Sequence, residues 1–152
     1  MTVAEKLHSL DLSLPVTPTP VASYVPAVQV GNLVFTSGQI PTRDGKLTVT
    51  GQVGLDLNED QAYEAARTAA LNALSAIQSV VGSLDRVKQV VRVNGYVNSA
   101  DGFTDQPRVV NGASDLLVEL FGEAGKHSRA AIGVAELPLD APVEVDVIVE
   151  VE

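Results

Sequence analysis

The chain has 152 residues, with 19 Asp and Glu against ten Lys and Arg and a formal net charge of −9. Hydrophobic residues make up 45% and aromatics only 4%, which predicts one domain with a core of Val, Leu, Ile and Ala. The balance leaves no basic surface for nucleic acid or an anionic membrane, and the lack of cysteine excludes disulfides, thiolate nucleophiles and zinc–thiolate sites.

Residues 1–10 fit a short helix. Glu5 and Asp11 interrupt any apolar run there, so the segment does not read as a secretory signal. No apolar run approaches membrane-spanning length. The expectation is a soluble, cytoplasmic protein with no nucleic-acid or membrane partner. "LPVTPTPVASY" follows, and Pro15, Pro18 and Pro20 favour an extended, wrapping segment. No internal repeat and no second composition regime is visible. Residues 1–152 therefore read as one domain, with 1–22 as an N-terminal extension.

"AVQVGNLVFTSGQI" reads as a hairpin. Val28 and Val30 alternate with polar or small residues, Gly31-Asn32 is a two-residue turn signal, and Leu33 to Thr36 returns. "TRDGKL" is a second turn, around Asp44-Gly45, followed by a predicted short edge strand from Leu47 to Thr50. The next element is a helix. Asn58 is its N-cap candidate with Gln61 three residues on, and Ala62, Ala66, Ala69, Ala73, Ile77 and Val80 form an apolar stripe. Gly82 is the stop.

"RVKQVVRVNGYV" reads as a Val-rich strand. A second helix follows, with Pro107 in its first turn, a stripe of Val110, Ala113, Leu117 and Leu120, and Gly122 as its end. Two strands close the chain, Arg129 to Ala135 and Val143 to Val151. In "VEVDVIVEVE" the valines fall on one face, and Glu144, Asp146, Ile148 and Glu150 on the other. The Val face meets the helices; the other faces water or a wet interface between subunits. The order predicts an α+β fold, a mixed β-sheet with two helices packed on one face.

Little in the sequence carries chemistry on its own. His8 and His127 have no metal-site spacing, so no metal is expected. No G-x-S-x-G elbow accompanies His127 and Ser128, and "TSGQIPTRDG" is neither a phosphate loop nor a dinucleotide fingerprint. Glu144 belongs by default to a solvated face. Arg129 heads a strand of small apolar residues. It reads either as a surface ion pair with one of many carboxylates, or as a guanidinium kept for a ligand carboxylate. The second reading expects Arg129 to lack a structural partner in the empty protein.

"GNLVFTSGQIP" (31–41), "VNGASDLLVELFG" (110–122), "SRAAIGVAELP" (128–138) and "VEVDVIVE" (143–150), in this order and spacing, resemble the Rid family, also called YjgF or the L-PSP endoribonuclease family. The resemblance covers Tyr24 to the C-terminus. It implies the chorismate-mutase-like fold and a homotrimer with clefts between subunits. Its deaminase branch hydrolyses reactive enamines and imines, such as 2-aminoacrylate, to 2-oxo acids and ammonia without a cofactor.

By that resemblance Arg129 grips the substrate carboxylate and Glu144 positions the attacking water. Tyr24, Ser37, Gly38 and Asn111 match cleft residues, and Ala131 stands where the branch commonly has Cys. The 98–110 loop and the N-terminus are longer than in compact members, which resembles a longer branch. The implied function is deamination of a carboxylate-bearing imine. The alternatives are a binding module for 2-oxo acids or amino-acid-like ligands, and, less favoured by the charge, an endoribonuclease or translation inhibitor.

Overall fold

The computed structural model describes residues 1–16 and 22–152. Its elements are α1 (Val3–Ser9), β1 (Ala27–Val30), β2 (Leu33–Thr36), β3 (Thr42–Arg43), β4 (Lys46–Leu47), α2 (Glu59–Val81), β5 (Val87–Asn98), α3 (Gln106–Phe121), β6 (Ser128–Val134) and β7 (Val143–Val151). Five strands form one sheet in the order β1-β2-β7-β5-β6. β5 and β6 run parallel, joined by the crossover helix α3; the other pairings in this sheet are antiparallel. The architecture is the expected α+β one, with α2 and α3 on one face.

Local chemistry accounts for the element ends. Gly31, at φ 59°, makes the tight β1–β2 turn that only a residue tolerant of positive φ enters cheaply. Asn58 caps α2: its side chain accepts from Gln61 N–H at 2.8 Å, and Gln61 Oε1 accepts from Asn58 N–H at 3.0 Å. Pro107 sits in the first turn of α3, where a missing N–H costs nothing.

The core lies between the sheet and the two long helices. Ala62, Ala66, Ala69, Ala73 and Ile77 of α2 are fully buried, as are Val110, Ala113 and Leu117 of α3. Along β7 the odd-numbered valines are buried and the even-numbered residues half-buried. α1 joins the same core through Val3 and Leu7; Lys6 Nζ donates to Leu120 O at 3.0 Å. Among the described residues no helix is long and apolar enough to cross a membrane.

Three expectations are corrected. Val80 does not belong to the buried stripe of α2: it is exposed, and Val81 is buried in its place because the last turn rotates the face by one residue. The strand expected from Leu47 to Thr50 is only Lys46–Leu47, and it pairs with β3 in a separate two-stranded hairpin. Asp44 and Gly45, both at positive φ, make the two-residue turn, and only Thr42–Arg43 and Lys46–Leu47 pair across it. The penultimate strand begins and ends one residue early, at Ser128 and Val134. Of the proline segment, Pro18 and Pro20 lie outside the described residues; Pro15 O accepts from Ser75 Oγ at 2.6 Å.

Candidate active site

Arg129 lies on β6, an edge strand, opposite Val93 of β5. Val93 pairs in turn with Val147, whose side chain is buried against the helices. Register partners share a face of the sheet, so Arg129 points to the helix side. There it is held by α3: Nη1 donates to Asn111 Oδ1 at 2.7 Å and to Ser114 Oγ at 3.2 Å. Both partners are neutral. Among the described residues Arg129 has no salt bridge, whereas Arg67 and Arg108 each pair with a carboxylate. The ion-pair reading therefore fails, and so does the expectation that Arg129 lacks a structural partner. Its guanidinium is positioned by the chain but not neutralised by it.

Glu144 pairs in register with Tyr96, on the open face of the sheet. Gly38 lies against its carboxylate so closely that a Cβ there would collide with Oε2. A bridge between Gln39 and Val145, two main-chain hydrogen bonds of 2.8 and 2.9 Å, fixes that approach. Ser37 Oγ donates to Val25 O at 2.6 Å, which ties the segment beside the exposed Tyr24 to the same place. Burial raises the Glu144 carboxyl above its usual range, and the charge of Asp146 adds to the rise.

The acidic face is therefore not uniform. Asp146 accepts from Asn94 Nδ2 at 2.8 Å, and Asn94 Oδ1 accepts from Arg92 Nε at 3.0 Å. The Tyr96 hydroxyl is raised by burial and by the charge of Asp146. Glu144 has no hydrogen bond or ion pair among the described residues, which leaves its lone pairs for a water or a ligand.

One chain does not bring these residues together. Arg129, Asn111 and Ala131 line the helix side of the sheet edge. Glu144 lies on the open face, across β5, with Gly38 against its carboxylate and Ser37 next to it, tied to Val25, the neighbour of the exposed Tyr24. Ala131 is partly buried against the core, and its strand has a free edge with main-chain donors and acceptors to offer. A groove between the starts of α2 and α3 reaches Asn111, but Glu59, Asp60 and Asp115 line it and would repel a carboxylate.

Sequence reading missed Ser114 and set His127 aside, having weighed it only as a metal ligand or triad member. Each lay within reach of simple periodicity: Ser114 follows Asn111 by one helical turn, and His127 precedes Arg129 by two residues at the head of a strand.

A family model described as YjgF/chorismate mutase-like, a description that also carries an endoribonuclease label, matches residues 4–151. Protein TCP17 of Trypanosoma cruzi is 46% identical over 149 residues, covering 97% of this chain and 93% of its own. A 2-iminobutanoate/2-iminopropanoate deaminase of Dermatophagoides farinae is 34% identical, covering 93% of this chain and 95% of its own. The crystal structure of Atu1372 from Agrobacterium tumefaciens, of unknown function, superposes with a TM-score of 0.93 at 42% identity, covering 99% of this chain and 92% of that one.

Proposed function

The chain belongs to the YjgF/chorismate mutase-like family, and on that footing we propose that it hydrolyses small imines bearing a carboxylate to 2-oxo acids and ammonia. The observation that carries this is the Arg129 guanidinium, oriented by Asn111 and Ser114 and without a carboxylate partner among the described residues. A planar, bidentate cation of this kind suits a carboxylate. The deaminase name of the Dermatophagoides farinae relative supports the same chemistry.

In the proposed reaction Arg129 holds the substrate carboxylate and so fixes the C=N carbon. Glu144 accepts a proton as water oxygen bonds to that carbon. Glu144 returns that proton to nitrogen, giving a carbinolamine; the carbinolamine hydroxyl proton then also passes to nitrogen through Glu144, the C–N bond breaks with its electron pair going to nitrogen, and ammonia leaves as the C=O forms. Main-chain donors of the Gly38 segment and the β6 edge stabilise the developing charge. No step calls on a cofactor or a metal. A cysteine-free chain that needs no oxidising compartment suits the cytoplasm.

Because Arg129 and Glu144 sit on opposite sides of one chain, the reading requires a second copy to supply the other half of each cleft. We assign that role to a homotrimer closed through the open face, where Val28, Val30, Phe35 and Ile132 are exposed. Co-expression tests both ideas at once. Arg129→Ala and Glu144→Gln should each release 2-oxo acid from 2-aminoacrylate generated in situ more slowly than wild type. Mixed oligomers of the two should regain activity, since some interfaces then carry both native residues. Absence of regained activity in verified mixed oligomers excludes the shared cleft.

A second reading has one observation behind it. Ala131 brings no side-chain acid or thiol to the Arg129 corner, so the cleft can hold a 2-oxo acid without turning anything over. Pyruvate binding with no acceleration of imine hydrolysis would favour it. RNA cleavage has less support: the charge is −9, and of the two histidines His8 sits on α1 while His127 adjoins β6.

A further inference from the structure

Beyond Ser114 the hydrogen bonds behind the guanidinium run on to His127, which the proposed reaction does not use. His127 Nδ1 lies 2.6 Å from Gly125 O, and a carbonyl oxygen can only accept, so Nδ1 carries the proton. In the neutral ring Nε2 is then an acceptor, and it lies 2.8 Å from Ser114 Oγ. Ser114 has one hydroxyl proton, and His127 takes it. The serine lone pairs are left facing Arg129 Nη1, 3.2 Å away. Gly125, the anchor, is buried and pressed so closely on the Leu117 carbonyl of α3 that no Cβ would fit.

We propose that Ser114 and His127 are positioning residues that fix the orientation of Arg129 for its ligand. This rests on the reading of Arg129 as a carboxylate clamp. The reason lies in what Ser114 would otherwise do. A serine inside a helix readily turns its hydroxyl to the carbonyl four residues back, here Val110. The hydroxyl stays directed at the strand because His127 offers a better-placed acceptor. Asn111 holds the same nitrogen, Nη1, from one helical turn earlier. Two acceptors on one nitrogen lock the guanidinium plane and leave the other nitrogens for a carboxylate.

The test uses Ser114→Ala, His127→Leu and His127→Gln in the full chain. Glutamine places an amide oxygen near the position of the imidazole Nε2, so it can take the serine proton; leucine cannot. Pyruvate affinity should fall about tenfold in Ser114→Ala and His127→Leu, the loss expected for one hydrogen bond to a charged group. His127→Gln should stay close to wild type, and none of the three should matter in an Arg129→Ala background. NMR of the Arg129 guanidinium, assigned through Arg129→Lys, should show slow Nε–Cζ rotation in the ligand-free wild type and faster rotation in the two damaging variants. Equal losses in His127→Leu and His127→Gln, or rotation unchanged by Ser114→Ala, would overturn the proposal. Failure of the wild type to bind pyruvate would instead count against the clamp itself, and the NMR reading would still decide whether the relay orients Arg129.

Discussion

Two glycine-to-alanine changes separate the reacting site from the scaffold. Gly38 takes no positive φ, so alanine strains nothing in the backbone there. Its new methyl would overlap Glu144 Oε2 and lie 2.8 Å from Cδ and 3.2 Å from Cγ. Carbon atoms rest at about 3.5–4.0 Å, so the carboxylate must retreat by roughly 1 Å. It is the far end of a flexible side chain and retreats cheaply. Stability should change by about 0.5 kcal/mol or less, about 1–2 °C in melting for a domain of this length. Turnover of an in situ-generated imine should fall by about 10–100-fold, since a misplacement of that size is enough to spoil alignment.

Gly112 is the contrast. Its methyl would strike the Tyr63 carbonyl, with Tyr63 C at 2.9 Å and Ala66 Cβ at 3.1 Å, and backbone cannot swing aside. Overpacking of about 1–3 kcal/mol, less up to about 1 kcal/mol of helix propensity gained over glycine, should lower the melting temperature by several degrees. The remaining folded protein should keep its specific activity. A Gly38→Ala enzyme with wild-type turnover would refute the placement of Glu144 in the mechanism.

Further outcomes follow from the same geometry. Arg129→Ala should abolish pyruvate binding at millimolar ligand and cost about 1–2 kcal/mol of stability, from the lost Asn111 and Ser114 bonds; unchanged binding by titration would remove the clamp. Arg129→Lys should weaken binding less, by losing the bidentate geometry. Glu144→Gln should lower turnover and leave pyruvate affinity nearly intact, whereas Asp146→Asn, a change in a residue tied to Asn94, should do less; equal effects would exclude a special role for Glu144. Because burial and Asp146 raise the Glu144 pKa, turnover should rise with pH through a midpoint above the ordinary glutamate range. The linked stability has the opposite sense. Folding is favoured below the unfolded pKa and loses that advantage as pH rises through the raised folded value, so Glu144→Gln should melt higher than wild type near neutrality, with the gap closing in acid. Phe35→Glu, on the open face, should shift the oligomer toward monomer by light scattering and reduce turnover with it.

The amino-acid order alone determined the elements and their faces. Alanines spaced along 62–77 select a helix lying close on a sheet, the odd valines of 143–151 select the buried side of a strand, and Asn58 with Gln61 marks a helix start. These are local periodicities, readable wherever one face is buried and the other wet. Failures came at ends and edges. Val80 sits at the solvent edge of the last turn of α2, and 47–50 sits in a small hairpin outside the main sheet, where only Lys46–Leu47 finds a partner strand. The site divides in the same way. Arg129 stood out by residue type and by resemblance to a family pattern, Glu144 by the resemblance alone. Only tertiary structure decided that neutral α3 groups hold Arg129, that Asp146 is tied while Glu144 has no hydrogen bond or ion pair among the described residues, and that Arg129 and Glu144 sit on opposite faces of the sheet. Strand order and hydrogen-bond partners join residues tens of positions apart, and no local spacing encodes which side of a sheet a distant strand will present.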